Sequence, residues 1–567
     1  MSAGSRRRRR RSAPATSAAP RAKPSRASIL RWAGVLGLVG IGILSRYRYF
    51  NYCMHDDAFI SFRYARHLAR GDGLVMNPGE RVEGITNFLW TLLAAPVFVL
   101  ALDPAQVAQI AGAILSLLLV WALFLYGERR LGRGWHSLIA PAFLVGNMAF
   151  LMESLSGLET MAFTLFLFAT FVAFLEERRT ARLRPGLWAA LCAAATLLRP
   201  EGMLLFGVLF AWSLWGVVRG DPARRLVRAT LLFTLLVLPL FVWRYLYYDA
   251  WLPNTFYTKV GYTLAQVERG WRYTVYAFAY GMTWPFLIVT AALTLLALLP
   301  LRAIVSRLAR LETPRAAGSD TRLFHARPRA EALALALLLS ATYVLYVTVV
   351  GGDYEPTVRF YMPVLPLLYL LFQETMRSVT AVAGASRRGR AFGTAIALLG
   401  FAAAFVASEE RFLKMLNRRG WPLTRMEHHR ELRFVGEWLR HNTPPQSLIA
   451  VSSIGALPYF AERPIVDMMG LTDAHIGRRR MEQMGQGAAG HEKGDGAYVL
   501  GRRPDVILFD KGHLFDHEAS LEEVLSGARG VSELDIARSR ELRQRYDLRR
   551  VATPAGVLHY FARKKAR

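Results

Sequence analysis

Apolar runs long enough to cross a membrane recur along this chain of 567 residues, and no other feature constrains its fold as strongly. Hydrocarbon offers no hydrogen-bond partners, so each crossing segment must satisfy its own backbone and therefore be a helix of roughly 17–25 residues. Such runs fall near 29–45, 106–126, 137–152, 160–175, 186–198, 202–218, 229–246, 283–300, 332–350, 361–376 and 391–407. The chain is 53% hydrophobic and only 20% charged, below the roughly 25% of a soluble domain. Its net charge of +29 would suit a nucleic-acid binder if the basic residues lined one soluble face. They instead sit in short clusters between apolar runs, which points to membrane lipids as partner and away from nucleic acid.

Those clusters set the expected topology. The loops at 127–134, 176–185, 219–228, 301–330 and 376–390 are basic, whereas 153–159 and 351–363 hold one Arg between them. Basic loops stay on the cytoplasmic side. One more apolar run, 85–102, decides the register: if it crossed, the loops at 127–134 and 176–185 would face outward. It is read as an interfacial or re-entrant helix. About eleven spans result, with the N-terminus inside and the C-terminus outside. Residues 1–28, rich in Arg, Ala, Ser and Pro, cannot build a core and read as a disordered cytoplasmic tail. Residues 29–407 form the transmembrane domain. Residues 408–567 read as an extracytoplasmic α/β domain, with strands in 447–453 and 504–509 and an amphipathic helix at 433–441. The cysteines, Cys53 and Cys192, make no disulfide framework.

The densest polar stretch, HDDAFISFRYARHLARGDGLVMNPGERVEGITN at 55–87, follows the first span on the outer side. Asp56 and Asp57 are adjacent and so cannot face the same way. One enters a cleft while the other caps a helix or pairs with Arg; Asp57 before AFISFRYARHL reads as such a cap. A carboxylate beside a membrane is costly unless it pairs or works. It can take a proton from a hydroxyl, or join Glu80 or Glu83, with His55, around a divalent cation. Further outer charges are Arg199 and Glu201 in LLRPEG, Lys259 beside Asn254 and Tyr257 in WLPNTFYTK, and Asp353 and Arg359 in GGDYEPTVRF. A fixed guanidinium suits a lipid phosphate, and an Arg that only snorkels to the interface is the alternative.

Residues 56–90, DDAFISFRYARHLARGDGLVMNPGERVEGITNFLW, resemble the first outer loop of the mycobacterial terminal β-arabinofuranosyltransferases and their bacterial relatives, GT-C integral-membrane glycosyltransferases. RYLYYDAWLPNTFYTK at 244–259 and GALPYFAERPIVDMMGLTDAHI at 455–476 are also similar to family segments. The resemblance implies a GT-C-like polytopic α-helical fold in the bacterial cytoplasmic membrane. It implies a polyprenyl-phosphate sugar as donor and an envelope glycan or glycolipid as acceptor. It places the catalytic carboxylate at Asp56 or Asp57, with an amphipathic helix after it. Arg359, Arg199 and Lys259 are then candidates for the donor phosphate. Arg63, Glu80, Glu83, Glu201, Asn254, Tyr257 and Asp353 are candidates for substrate contacts. A divalent cation stays open as cofactor. A polysaccharide or lipid transporter and a non-catalytic envelope assembly protein are the competing readings.

In a background lacking Cys53 and Cys192, a Cys placed near Gly134 should resist an impermeant thiol reagent added to intact cells, and one near Gly490 should react. Reversed labelling would overturn the topology.

Overall fold

The computed structural model describes residues 26–131, 134–179, 186–281, 328–382, 387–418, 420–421 and 423–564. Residues 1–25 of the expected tail, the expected span at 283–300 and most of the basic loop after it lie outside them, while 26–28, expected in the tail, are helical. Among the described residues six helices are long and apolar enough to cross a membrane, or seven if one bent pair is a single span. The chain is a multi-pass membrane protein. The first of these helices, α1 (Arg26–Tyr49), turns Leu30, Leu36, Ile41 and Leu44 outward, as a lipid-facing helix must.

Several expected spans differ from straight helices. The one at 137–152 is broken: Trp135–Gly146 and Met148–Ser154 meet at 65°. Asn147 sits at the break, where its Oδ1 accepts from the Phe150 N–H at 2.8 Å and its Nδ2 donates to Glu409 at 3.1 Å. The Glu409 carboxylate also accepts from Met148 N at 2.8 Å. A break in hydrocarbon leaves backbone groups bare, and these side chains satisfy them. The run at 186–198 becomes the 12-residue helix Leu187–Leu198, and 361–376 begins as a 3₁₀ turn, Arg359–Val364, before the helix Leu365–Val382. The last run belongs to Arg387–Arg418, which continues past Ser408, where the composition changes.

Two shorter helices lie between α1 and the long apolar helix α4 (Pro104–Tyr126): α2 (Asp56–Arg70) and α3 (Phe88–Val99). At 12 residues, α3 is about 18 Å long. A hydrocarbon core of about 30 Å exceeds it, which agrees with the non-crossing reading of 85–102. Helix α2 is buried along Ala58–His67 and ends on Gly71 at φ 87°, where a left-handed residue closes the last turn.

The C-terminal region forms the expected small α/β unit behind the helix Leu423–Asn442. Its sheet has the order β2-β1-β3-β6-β4, with β5 also on β6. Here β1 is Ile449–Val451, β2 Ile465–Asp467, β3 Val506–Ile507, β4 Leu514–Phe515, β5 Tyr546–Thr553 and β6 Gly556–Arg563. The strands β2, β1 and β3 are parallel, and β6 pairs antiparallel with its neighbours. Both β1 and β2 are buried throughout, as strands covered on two faces are.

This unit is bolted onto α2. Arg63 is buried and donates to Met76 O at 2.9 Å, to Arg463 O at 2.7 Å and to Pro458 O. Arg66 donates to Tyr459 O at 2.8 Å and pairs with Glu462 at 3.1 Å. Asn77 bonds both backbone groups of Ile465, at 2.8 and 3.0 Å. An Arg63→Leu variant leaves three buried carbonyls without a donor, each worth about 1–3 kcal/mol. Its unfolding midpoint in detergent should fall well below wild type; an unchanged midpoint would refute the clamp.

Candidate active site

Asp56 and Asp57 open α2, and the helix cap is His55 rather than either carboxylate: His55 Nδ1 accepts from the Asp57 N–H at 3.1 Å. This corrects the capping alternative for Asp57. With Nδ1 as acceptor, the ring proton sits on Nε2, which reaches Glu355 Oε1 at 2.8 Å. His55 thus ties the start of α2 to the loop at 350–358.

The two carboxylates point to opposite sides. Asp57 bonds Arg359 Nη1 at 2.9 Å, and its side chain is 30% exposed against 5% for Arg359. The other edge of that guanidinium meets Asp353, Nε at 2.5 Å and Nη2 at 3.2 Å. Arg359 follows Val358, a buried β-branched residue at φ 52°. A left-handed conformation there costs of order 1–3 kcal/mol and is held only when its surroundings fix it. The strain turns the chain so that Arg359 faces α2. Asp56, half-buried, accepts from Ala456 N at 2.7 Å, across the boundary with the C-terminal unit. Burial pushes its carboxyl up to about 6; the Ala456 bond and His428 oppose the rise, while Asp57 and Asp510 add to it.

Lys259 completes the group. It ends the helix Asn254–Lys259, lies within the fields of Asp57, Arg359, Asp353 and Arg199, and is held below the usual lysine value chiefly by burial. Among the described residues no hydrogen bond or ion pair takes its ammonium. Arg199 is different: it is buried between Glu159 at 3.1 Å and Glu201 at 2.9 Å.

The structure therefore brings Asp57, Arg359, Asp353 and Lys259 together, with Asp56 behind them and the Arg199–Glu201 pair within electrostatic reach. The remaining candidates have other partners. Arg63 belongs to the clamp. Glu83 forms a two-point pair with Arg244, at 2.5 and 3.1 Å. Glu80 bonds Arg502 at 2.7 Å and Asn77 at 2.8 Å. Asn254 Nδ2 lies on the carbonyls of Gly470, Leu471 and Asp473. The Tyr257 carbonyl accepts from Lys493 at 2.9 Å. Glu80 and Glu83, proposed above to share a cation with Asp56 or Asp57, are thus turned to other partners. Among the described residues no group of three or more His, Cys, Asp or Glu is arranged to hold a metal ion. Sequence reasoning underrated His55 and Glu355. Glu355 is buried, its carboxyl pushed up to about 8 by that burial; its signal was the second acid in GGDYEPTVRF.

With this geometry in view, the relatives become informative. The Mycobacterium tuberculosis terminal β-(1→2)-arabinofuranosyltransferase is 29% identical over 221 residues, 36% of this chain and 34% of that protein. The family resemblance is borne out. The match spans about a third of the relative's length. A domain of unknown function, DUF8728, matches residues 423–550. Among solved structures, ArnT from Cupriavidus metallidurans bound to undecaprenyl phosphate has a TM-score of 0.46 at 14% identity, covering 77% of this chain and 86% of that one. The Archaeoglobus fulgidus oligosaccharyltransferase has a TM-score of 0.49 at 12% identity, covering 94% and 74%.

Removing Asp353 by Asp353→Ala leaves a buried guanidinium with one carboxylate, a loss of about 3–5 kcal/mol. The thermal midpoint in detergent should drop sharply, and Asp353→Asn should recover part of it. A wild-type midpoint for the alanine variant would mean that the pair is immaterial.

Proposed function

We propose that the chain is a glycosyltransferase of the bacterial cytoplasmic membrane. It moves a sugar, arabinofuranose by analogy with its mycobacterial relative, from a polyprenyl phosphate to an envelope glycan or glycolipid on the outer face. The observation that carries this reading is Lys259, a half-buried cation without a partner among the described residues, set beside the Asp57–Arg359 pair. An unpaired ammonium in such a place suits a phosphate. Arg359 and Arg199 already hold two carboxylates each, so Lys259 is the cation free to meet the donor.

In the proposed reaction the acceptor hydroxyl attacks the anomeric carbon. The carbon–oxygen bond to phosphate breaks, its electron pair leaves with the lipid phosphate, and Lys259 offsets the charge that develops there. Asp56 takes the hydroxyl proton. Its raised carboxyl makes it a stronger base than an ordinary aspartate while leaving it mostly ionised at neutral pH. A single displacement inverts the anomeric centre. Asp57 and Asp353 fix Arg359, and His55 with Glu355 fixes the start of α2, so these four are positioning residues. In this reading the C-terminal unit stands on the acceptor side and lies outside the cell.

The test is transfer of label from a polyprenyl-phosphate sugar to an acceptor by the purified protein, with no turnover refuting the proposal. Asp56→Asn should lower the rate by about 10²–10⁴-fold. The base form of Asp56 exists above its pKa, so kcat/KM should fall tenfold per pH unit below about 6. A profile flat down to pH 5 would reassign the base.

A further inference from the structure

In open α/β sheets, ligands settle in the crevice outside the carboxyl ends of parallel strands. In this protein that end of the sheet abuts the start of α2. The chain leaving β1 runs Ser452, Ser453, Ile454, Gly455 to Ala456, whose N–H holds Asp56 at 2.7 Å. The chain leaving β3 runs Leu508 and Phe509 to Asp510. The two ends are joined: Ser453 Oγ donates to Asp510 Oδ1 at 2.5 Å. Glu533 braces both from behind, accepting from Ser452 Oγ at 2.5 Å and from Asp510 N at 3.0 Å. Among the described residues Asp510 Oδ2 meets Lys511 Nζ alone, at 3.9 Å, too far for a hydrogen bond. On the helix Leu423–Asn442, His428 has Nδ1 3.9 Å from Glu431 Oε2, and its field and that of Asp510 both act on Asp56. Ser453, Asp510, His428 and Asp56 are each half-buried, so the cluster borders solvent.

We propose that Asp510 and His428, with Ser453 as brace, form the acceptor subsite, and that its ligand is the hydroxyl-rich end of a glycan presented to Asp56. This deepens the glycosyltransferase reading and rests on it. The chemistry fits a polyol: a carboxylate with a free oxygen accepts from a sugar hydroxyl, an imidazole donates to or accepts from the next, and a serine hydroxyl holds the carboxylate in place. The arrangement also gives the adjacent aspartates separate tasks. Asp57 turns to the cation side, where the lipid phosphate is placed, and Asp56 turns to the strand ends, where the nucleophile arrives.

The test uses the full chain in detergent and a short synthetic arabinofuranosyl oligosaccharide as probe, titrated by calorimetry without donor, so that it does not depend on turnover. Wild type should bind, and Asp510→Asn, which keeps the bond from Ser453, should bind about ten- to a hundredfold more weakly, the loss of one charge-assisted contact. His428→Gln should weaken binding in the same direction, and the exposed control Asp516→Asn should not. Donor affinity and thermal midpoint should stay at wild type in Asp510→Asn. An oligosaccharide that fails to bind wild type overturns the proposal, as does equal affinity in Asp510→Asn or a loss matched by a lowered midpoint. Absence of sugar transfer alongside a normal Asp510-dependent titration would instead count against the glycosyltransferase reading.

Discussion

The Arg359 guanidinium is the charge around which the candidate site is organised. It is buried, and a buried cation is tolerated only when its partners offset the loss of water. Asp353 supplies two bonds from its own loop, and Asp57 supplies one from α2. Three separate parts of the chain therefore meet at one group: the loop after the helix Pro328–Val349, the 3₁₀ turn leading into Leu365–Val382, and the first turn of α2. The left-handed Val358 is the local cost of that meeting. Arg359 gives Asp57 its partner, and the fields of Asp57 and Asp353 favour the charged form of Lys259 against its burial.

A second set of contacts joins the C-terminal unit to the rest of the chain. Asp56, Arg63, Arg66, Asn77, Glu80 and Asn254 all reach into the C-terminal unit, mostly to backbone atoms. Side-chain bonds to backbone fix orientation as well as distance, because a carbonyl or an amide cannot turn away. The helix bearing the paired carboxylates is thus held by Arg359 at its first turn and by the sheet unit along its length.

Much of this was legible in the sequence, and the limits follow from what sequence periodicity encodes. Long apolar runs announced α1, α4 and their kind because hydrocarbon leaves a helix as the only solution. Loop charge argues against a crossing at 85–102, and α3 is short for one, as is the helix Leu187–Leu198. The break at Asn147 was hidden, since a run interrupted by one amide has nearly the hydropathy of an intact one and the compensating Glu409 is far away in sequence. At the site, the residues that share a charge balance, Asp57, Asp353, Arg359 and Lys259, stood out as charges at span ends. Arg63 and Glu83 stood out as charges too, yet they meet the Arg463 carbonyl and Arg244: a charge in a greasy chain reports that a partner exists, not which one. His55 and Glu355 were weighed too lightly because a lone His and one more acid carry little signal until the fold sets them 2.8 Å apart.

Gly455 carries a consequence for motion. A β-carbon there would lie 2.3 Å from both the backbone oxygen and Oδ2 of Asp56, so the turn after β1 rests directly on the first turn of α2 with no side chain between them. Surfaces seated backbone to backbone slide poorly and separate only together with their whole frame. The sheet unit is in that sense a fixed ceiling rather than a hinged cover. Anything that displaced the strand ends would carry Asp56 with them, because the same short turn that meets the helix backbone also holds that carboxylate.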